Sequence, residues 1–208
     1  MSSKALLNLI LPPAPVGKRI LATLCDLILI FFLSVFVIGK LWIPVYHADV
    51  VIQFKLLLLE YSEQLHAGQF VEFFNQINAN KAIVDMFISV DRVLFFVAWI
   101  YYSLNGIFLQ GGSLGKQIFN LRVLKLSTLK FPNYGESILR SGILTFFLFS
   151  AWPFCMCLNL CFICLNGMHR GFHDWFCQTY VVSYEVLEQI KEKMLSAVSQ
   201  NETHLNSD

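Results

Sequence analysis

An all-α bundle embedded in a membrane, carrying three apolar membrane segments and a small cytoplasmic β element, is the fold class this sequence predicts. Three observations lead there. Apolar residues make up 56% of the 208 and charged residues only 14%, against about 25% charged in a soluble domain. Three stretches are long enough to cross a bilayer. The remaining charges are sorted by side. Length suits one domain, and a net charge of +1 gives no basic footprint for nucleic acid.

The stretches are Ile20 to Gly39, broken only by Asp26, and the uncharged runs Val93 to Gly115 and Ser141 to Leu165. A spanning helix needs about 20 mostly apolar residues. Soluble helices this apolar on every side would need a large protein around them, and this chain has too few polar residues to supply it. The first stretch holds an acid and runs on as Gly39-Lys40-Leu41-Trp42 without a small-residue cleavage site. It reads as a retained transmembrane helix rather than a signal peptide.

Along the chain, Pro12, Pro13 and Pro15 keep the N-terminal tail from being one helix, and Lys18-Arg19 close it at the membrane edge. Lys40, Trp42 and Pro44 mark the exit of the first helix, with Trp42 in the aromatic belt. Residues 45–85 form an insert. Phe54, Leu58, Tyr61 and Leu65, then Phe70, Phe73, Phe74 and Ile77, recur at helical spacing and predict two short amphipathic helices lying on the membrane or capping the bundle. Asp91-Arg92 opens the second helix as an interfacial anchor. Residues 111–140 carry Lys116, Arg122, Lys125, Lys130 and Arg140 against Glu136 alone, whereas residues 40–85 hold three bases and five acids. The positive-inside rule therefore expects residues 1–19 and 111–140 in the cytoplasm and the insert outside.

The third stretch has two readings. As one helix, its twenty-five residues would reach about 37 Å and leave the C-terminus outside. With Pro153 at its middle, two short helices folding back at Trp152-Pro153 would keep both ends inside, and Arg170, Lys191 and Lys193 favour that. Beyond it, Thr179 to Tyr184 is β-branched and aromatic and reads as a strand. Leu121 to Leu126 is its expected partner, because an unpaired strand leaves its amides without acceptors. Val186 to Val198 reads as helix and the last ten residues as disordered.

Asp26 is the sharpest functional signal. A charged acid at the centre of a spanning helix costs roughly 2.5–3.5 kcal/mol, so it must face the interior and find a partner, Arg140 or Arg19 by preference. One reading makes it an ion, proton or substrate site; the other makes it half of a buried structural pair. Other patterns carry less. Gly111-Gly112-Ser113-Leu114-Gly115-Lys116 lacks the outer Gly and following Ser or Thr of a phosphate loop and reads as a helix-terminating turn with a membrane-edge Lys. Cys155, Cys157, Cys161 and Cys164 lie in an apolar run, where Cys behaves as a small hydrophobe, so no metal or cofactor is expected. His173-Asp174 has no nucleophile nearby and reads as a cap or salt bridge. No enzyme constellation emerges.

Taken together, these residues resemble the RDD family of small membrane proteins. The match is Arg19 at the start of the first helix, Asp26 in its middle and Asp174 after the last apolar stretch. Gly112-Ser113-Leu114-Gly115-Lys116 with Leu121-Arg122-Val123, and His173-Asp174 with Thr179-Tyr180-Val181-Val182, support it. The chain departs from the family in having Met168-His169-Arg170 where many members have Arg-Arg or Arg-Gln, and Cys177-Gln178 in place of Ala-Gly. The resemblance implies one membrane domain over 14–184 with the 45–85 insert extracytoplasmic, followed by a C-terminal helix and tail at 185–208. It implies a setting in a bacterial inner membrane with the N-terminus cytoplasmic. Transport of unknown ligands, sodium–proton exchange among them, is what the family suggests. The expected function is thus a small transporter or cation/proton exchanger, with Arg19, Asp26, Arg140 and Asp174 as the ligand or ion pathway. Its expected partners are the lipid bilayer, a small cation or proton, and a second copy of the chain, since so few helices make a thin wall. The alternative is a non-transporting scaffold or assembly factor.

Overall fold

The computed structural model describes residues 12–68, 70–109, 111–149, 154–165, 169–189 and 192. They are mostly helical with one small sheet, and they form two compact units. One comprises the chain up to Ile28 and from Trp99 onward, the other Leu29–Ala98.

Helix α1 (Val16–Phe36) widens into a π-helical segment (Val37–Trp42) and resumes as α2 (Ile43–Tyr46). Pro44 has no N–H to give the carbonyl of Lys40, and its ring crowds that carbonyl; the wider turn absorbs the conflict. The 31 residues of 16–46 are long and apolar enough to cross a membrane. Along α1 the buried positions are Arg19, Ala22, Asp26, Ile30 and Ser34, while Leu24, Ile28, Phe31, Phe32 and Phe36 are exposed. This reverses the pattern of a soluble surface helix, which turns its apolar stripe inward. Phe32 is 66% exposed where Asp26 is 2%, an arrangement that water would penalise and hydrocarbon favours.

In the second unit, α3 (Ala48–Glu60), α4 (Ser62–His66) and α5 (Val71–Ala79) lead into α6 (Lys81–Phe108). The insert is helical, as expected, but in three pieces rather than two, and α3 buries no residue. Phe73 is buried beside Tyr61 and Phe74. Trp42 Nε1 donates to Ser89 Oγ at 2.6 Å, and His47 Nε2 lies 3.0 Å from the same oxygen. The second apolar helix starts earlier than Asp91-Arg92 suggests. Asn80 Oδ1 accepts from the Ile83 amide, so α6 begins at the cap, and Asp91-Arg92 lies within it rather than at its mouth.

In the first unit α6 stops at Phe108, short of the expected Gly115. Gly111, at φ +81, adopts the left-handed conformation that ends helices, and its amide closes onto Gly106. A short helix α7 (Leu114–Ile118) follows, then β1 (Leu121–Lys125), α8 (Tyr134–Phe149), α9 (Phe154–Leu165), α10 (Phe172–Phe176) and β2 (Thr179–Ser183). The third apolar stretch is therefore shared between two helices that touch; the expected break at Trp152-Pro153 lies outside the described residues. Small residues let helices close up. A Cβ on Gly106 would sit 3.3 Å from that of Ser137, and one on Gly142 3.4 Å from the indole nitrogen of Trp99.

The expected strand pairing is present. β1 and β2 are antiparallel with Leu121 opposite Ser183 and Lys125 opposite Thr179. All five residues of β2 are buried, Tyr180 and Val182 against Leu124 on one face, Val181 against Ala14, Ala22 and Val123 on the other. Helix resumes over 184–189; most of the expected helix 186–198 and the tail lie outside the described residues.

Candidate functional site

The site assembles within the first unit, from α1, α6, α7, α8, α9, α10 and β2. Asp26 lies nearly three turns along α1 and is turned inward. Its Oδ1 accepts from the Tyr101 hydroxyl and from the Gly115 amide, each at 2.8 Å, and its Oδ2 from the Ser113 hydroxyl. All three partners are neutral. A carboxylate accepts up to about four hydrogen bonds, so most of its capacity is used. Gly115 makes this approach feasible: a Cβ there would collide with the Ala22 carbonyl and the Asp26 carboxyl. Ser113 also caps α7, accepting from the Lys116 amide. The Gly112-to-Lys116 run thus ends one helix at Gly111 and starts the next at Ser113, rather than only terminating a helix.

The expected ion pair between Asp26 and Arg140 or Arg19 is not the arrangement adopted. Arg140 reaches Asp174 instead, with Nε and Nη2 both 2.8 Å from Oδ1. Thr179 donates to the same oxygen at 2.9 Å, and His173 Nε2 lies 3.4 Å from Oδ2. Asp174 and Arg140 can meet because α8 and α10 pack side by side. Arg19 takes backbone partners: Nη2 donates to the Val181 carbonyl at 2.7 Å and Nη1 to that of His169. Together with the Ala14 amide, which donates to the same Val181 carbonyl, Arg19 covers the free edge of β2 and keeps it from open pairing. Asn159 Oδ1 accepts from the Phe172 amide at 2.9 Å, tying α9 to α10.

Electrostatics follow from burial and neighbours. Burial alone would raise Asp174, but Arg140 first, then His173, Lys116 and Arg19, hold it well below the usual carboxylate range. Burial drives His173 down to about 3 against the upward pull of Asp174, so its imidazole is neutral at pH 7. Burial, with Arg140 adding, draws Lys116 down to about 7 although Asp174 and Asp26 oppose it.

Between these groups lies a cavity of about 60 Å³ lined by Arg19, Asp26, Tyr102, Lys116, His173 and Asp174, among others. The four expected residues Arg19, Asp26, Arg140 and Asp174 are therefore in one neighbourhood, three of them on the cavity and Arg140 behind Asp174. Tyr101, Tyr102, Ser113, Lys116 and Thr179 escaped the sequence reading. Lys116 had a visible signal, a lone base after a glycine turn in an apolar chain. The hydroxyls had none.

The family model of the RDD family matches residues 13–178. The chain belongs to the RDD family. The three residues that carried the resemblance, Arg19, Asp26 and Asp174, are all buried in one unit of this RDD domain. Among curated proteins and solved structures, none matches the chain. The RDD assignment and the apolar helix 16–46 together make this a membrane-associated domain.

Proposed function

We propose that this RDD protein is a small transporter that moves a small ion across the membrane coupled to a proton. In this reading α1 and α6 cross the bilayer, α8 and α9 enter it as a folded-back pair, and residues 1–19 and 111–140 face the cytoplasm, where their excess of bases belongs. The single observation that carries the proposal is the cavity ringed by ionisable side chains inside a unit whose exterior is apolar. Ionisable groups at membrane depth are costly and are ordinarily kept for function. Lys116 is the proton carrier, since burial brings its titration to about 7 and its ammonium makes no ion pair among the described residues. With Asp174 paired to Arg140, Arg19 and Lys116 stand against Asp26 alone on the cavity, which favours a proton over the small metal cation expected from sequence.

A second reading has its own support. Asp26 staples α1 to the α7 turn, and Asp174 staples α8 to α10 and β2, as a purely structural scaffold would require. Reconstitution into liposomes separates the two. With an imposed pH gradient and a trapped pH dye, a transporter collapses the gradient faster than empty liposomes, and Lys116→Gln slows this to background while the protein stays folded. A scaffold gives empty-liposome rates with or without the substitution. Asp26→Asn is the poorer test, because an amide would turn a donor toward Ser113 or Gly115 and loosen the joint.

A further inference from the structure

The polar groups around the cavity are unevenly partnered. The carboxylates are occupied: Asp26 by three donors, Asp174 by Arg140 and Thr179. His173 Nδ1 is without a partner among the described residues, and the other unpartnered atoms on the cavity are donors. Among the described residues, the hydroxyl of Tyr102, a residue 5% exposed, has no hydrogen-bond partner, and neither has Nε of Arg19, 7% exposed. Lys116 uses its backbone amide on Ser113, and its ammonium makes no hydrogen bond among the described residues. All three residues line the same cavity. A buried donor without an acceptor forfeits its hydration for nothing. Two such donors face one enclosed space, and because Arg140 pairs with Asp174, the cations Arg19 and Lys116 stand there against Asp26 alone; the missing partner is an acceptor with negative charge.

We propose that the cavity is a binding site for a small monovalent anion, of the size of chloride or formate, held by Arg19, Tyr102 and Lys116. Arg19 supplies Nε–H while its two Nη atoms stay on the Val181 and His169 carbonyls, so binding needs no rearrangement of the sheet edge. Tyr102 supplies a neutral hydroxyl and Lys116 a mobile charge. A volume of about 60 Å³ exceeds what one water needs and has room for a small ion. The inference deepens the transport reading, since it names the class of ion the cavity takes, but it concerns binding and does not need flux.

The test uses the full chain in lipid nanodiscs, with thermal unfolding followed in sodium chloride, sodium formate or sodium gluconate at equal ionic strength. Chloride or formate should raise the midpoint in a saturable way, because a ligand that binds only the folded state stabilises it; gluconate, too large for the cavity, should not. Tyr102→Phe removes a hydroxyl that holds nothing else, so its midpoint in gluconate should be no lower than that of the wild type. Its apparent Kd for chloride should rise about tenfold, the value of one hydrogen bond to a charged group. If Tyr102→Phe fails to fold, Lys116→Gln carries the same expectation. Equal midpoints in chloride, formate and gluconate would overturn the site, as would unchanged chloride affinity in the variant. Saturable stabilisation without gradient collapse in liposomes would leave this site standing and remove the transport reading. Gradient collapse without anion stabilisation would do the reverse.

Discussion

Gln178 sits at φ +51 between α10 and β2, a backbone region that costs a side-chain-bearing residue about 1–2 kcal/mol. The chain must turn sharply from α10 here so that Leu126 can donate to the Gln178 carbonyl and extend the sheet. We predict that Gln178→Gly stabilises the protein by about 1 kcal/mol, read as a higher melting midpoint in detergent; a lower midpoint would count against the account of this turn. At Lys116 the sign of the pH effect is fixed. Its folded value is about 7 and its ordinary value 10.5, so between those limits the unfolded chain holds more protons and stability rises with pH. The melting midpoint should climb from pH 7 towards 10, and Lys116→Met should flatten that climb. Asp26 was legible in the sequence because a lone acid in an apolar run has to be buried and satisfied. Its partners were not. An acid seeks a base when only charges are counted, yet here two hydroxyls and an amide meet it, and nothing in residues 26 and 113–115 announces that they touch.

At the scale of elements, the joint between α1 and α7 depends on closeness. Gly115 lies where a Cβ would strike the Ala22 carbonyl, backbone that cannot swing aside. Gly115→Ala should therefore cost about 3 kcal/mol, the upper end of overpacking. Gly135, in the first turn of α8 with open space around it, provides the control: Gly135→Ala should be neutral or slightly stabilising. Similar losses in both variants would show that the α1–α7 contact is not what Gly115 protects. The sheet was readable beforehand because β2 is β-branched and aromatic and must pair with something. The start of α6 was not, because the cap Asn80 lies well before the apolar run and its first turns carry Lys81 and Asp85. The α7 helix was hidden by its length: five residues leave no periodicity to read.

In the molecule's long apolar helix α1, side chains are sorted in reverse. Phenylalanines and leucines of α1 lie outside while Arg19 and Asp26 lie within, and Arg140 and Asp174 add to the same interior. That distribution follows from a hydrocarbon surround, in which apolar exteriors cost nothing and polar groups must satisfy one another. Composition and the apolar run of α1 made a mostly helical, membrane-associated chain legible, whereas the partner of each charge emerged only from the three-dimensional arrangement. The account's central claim is that this interior carries ions. The most direct measurement is the rate at which an imposed pH gradient decays across liposomes containing the wild-type protein, with chloride or gluconate as the bathing anion. The account predicts decay faster than in empty liposomes, faster in chloride than in gluconate, and returned to background by Lys116→Gln. Decay equal to that of empty liposomes in both salts, from protein shown to be folded, would contradict it.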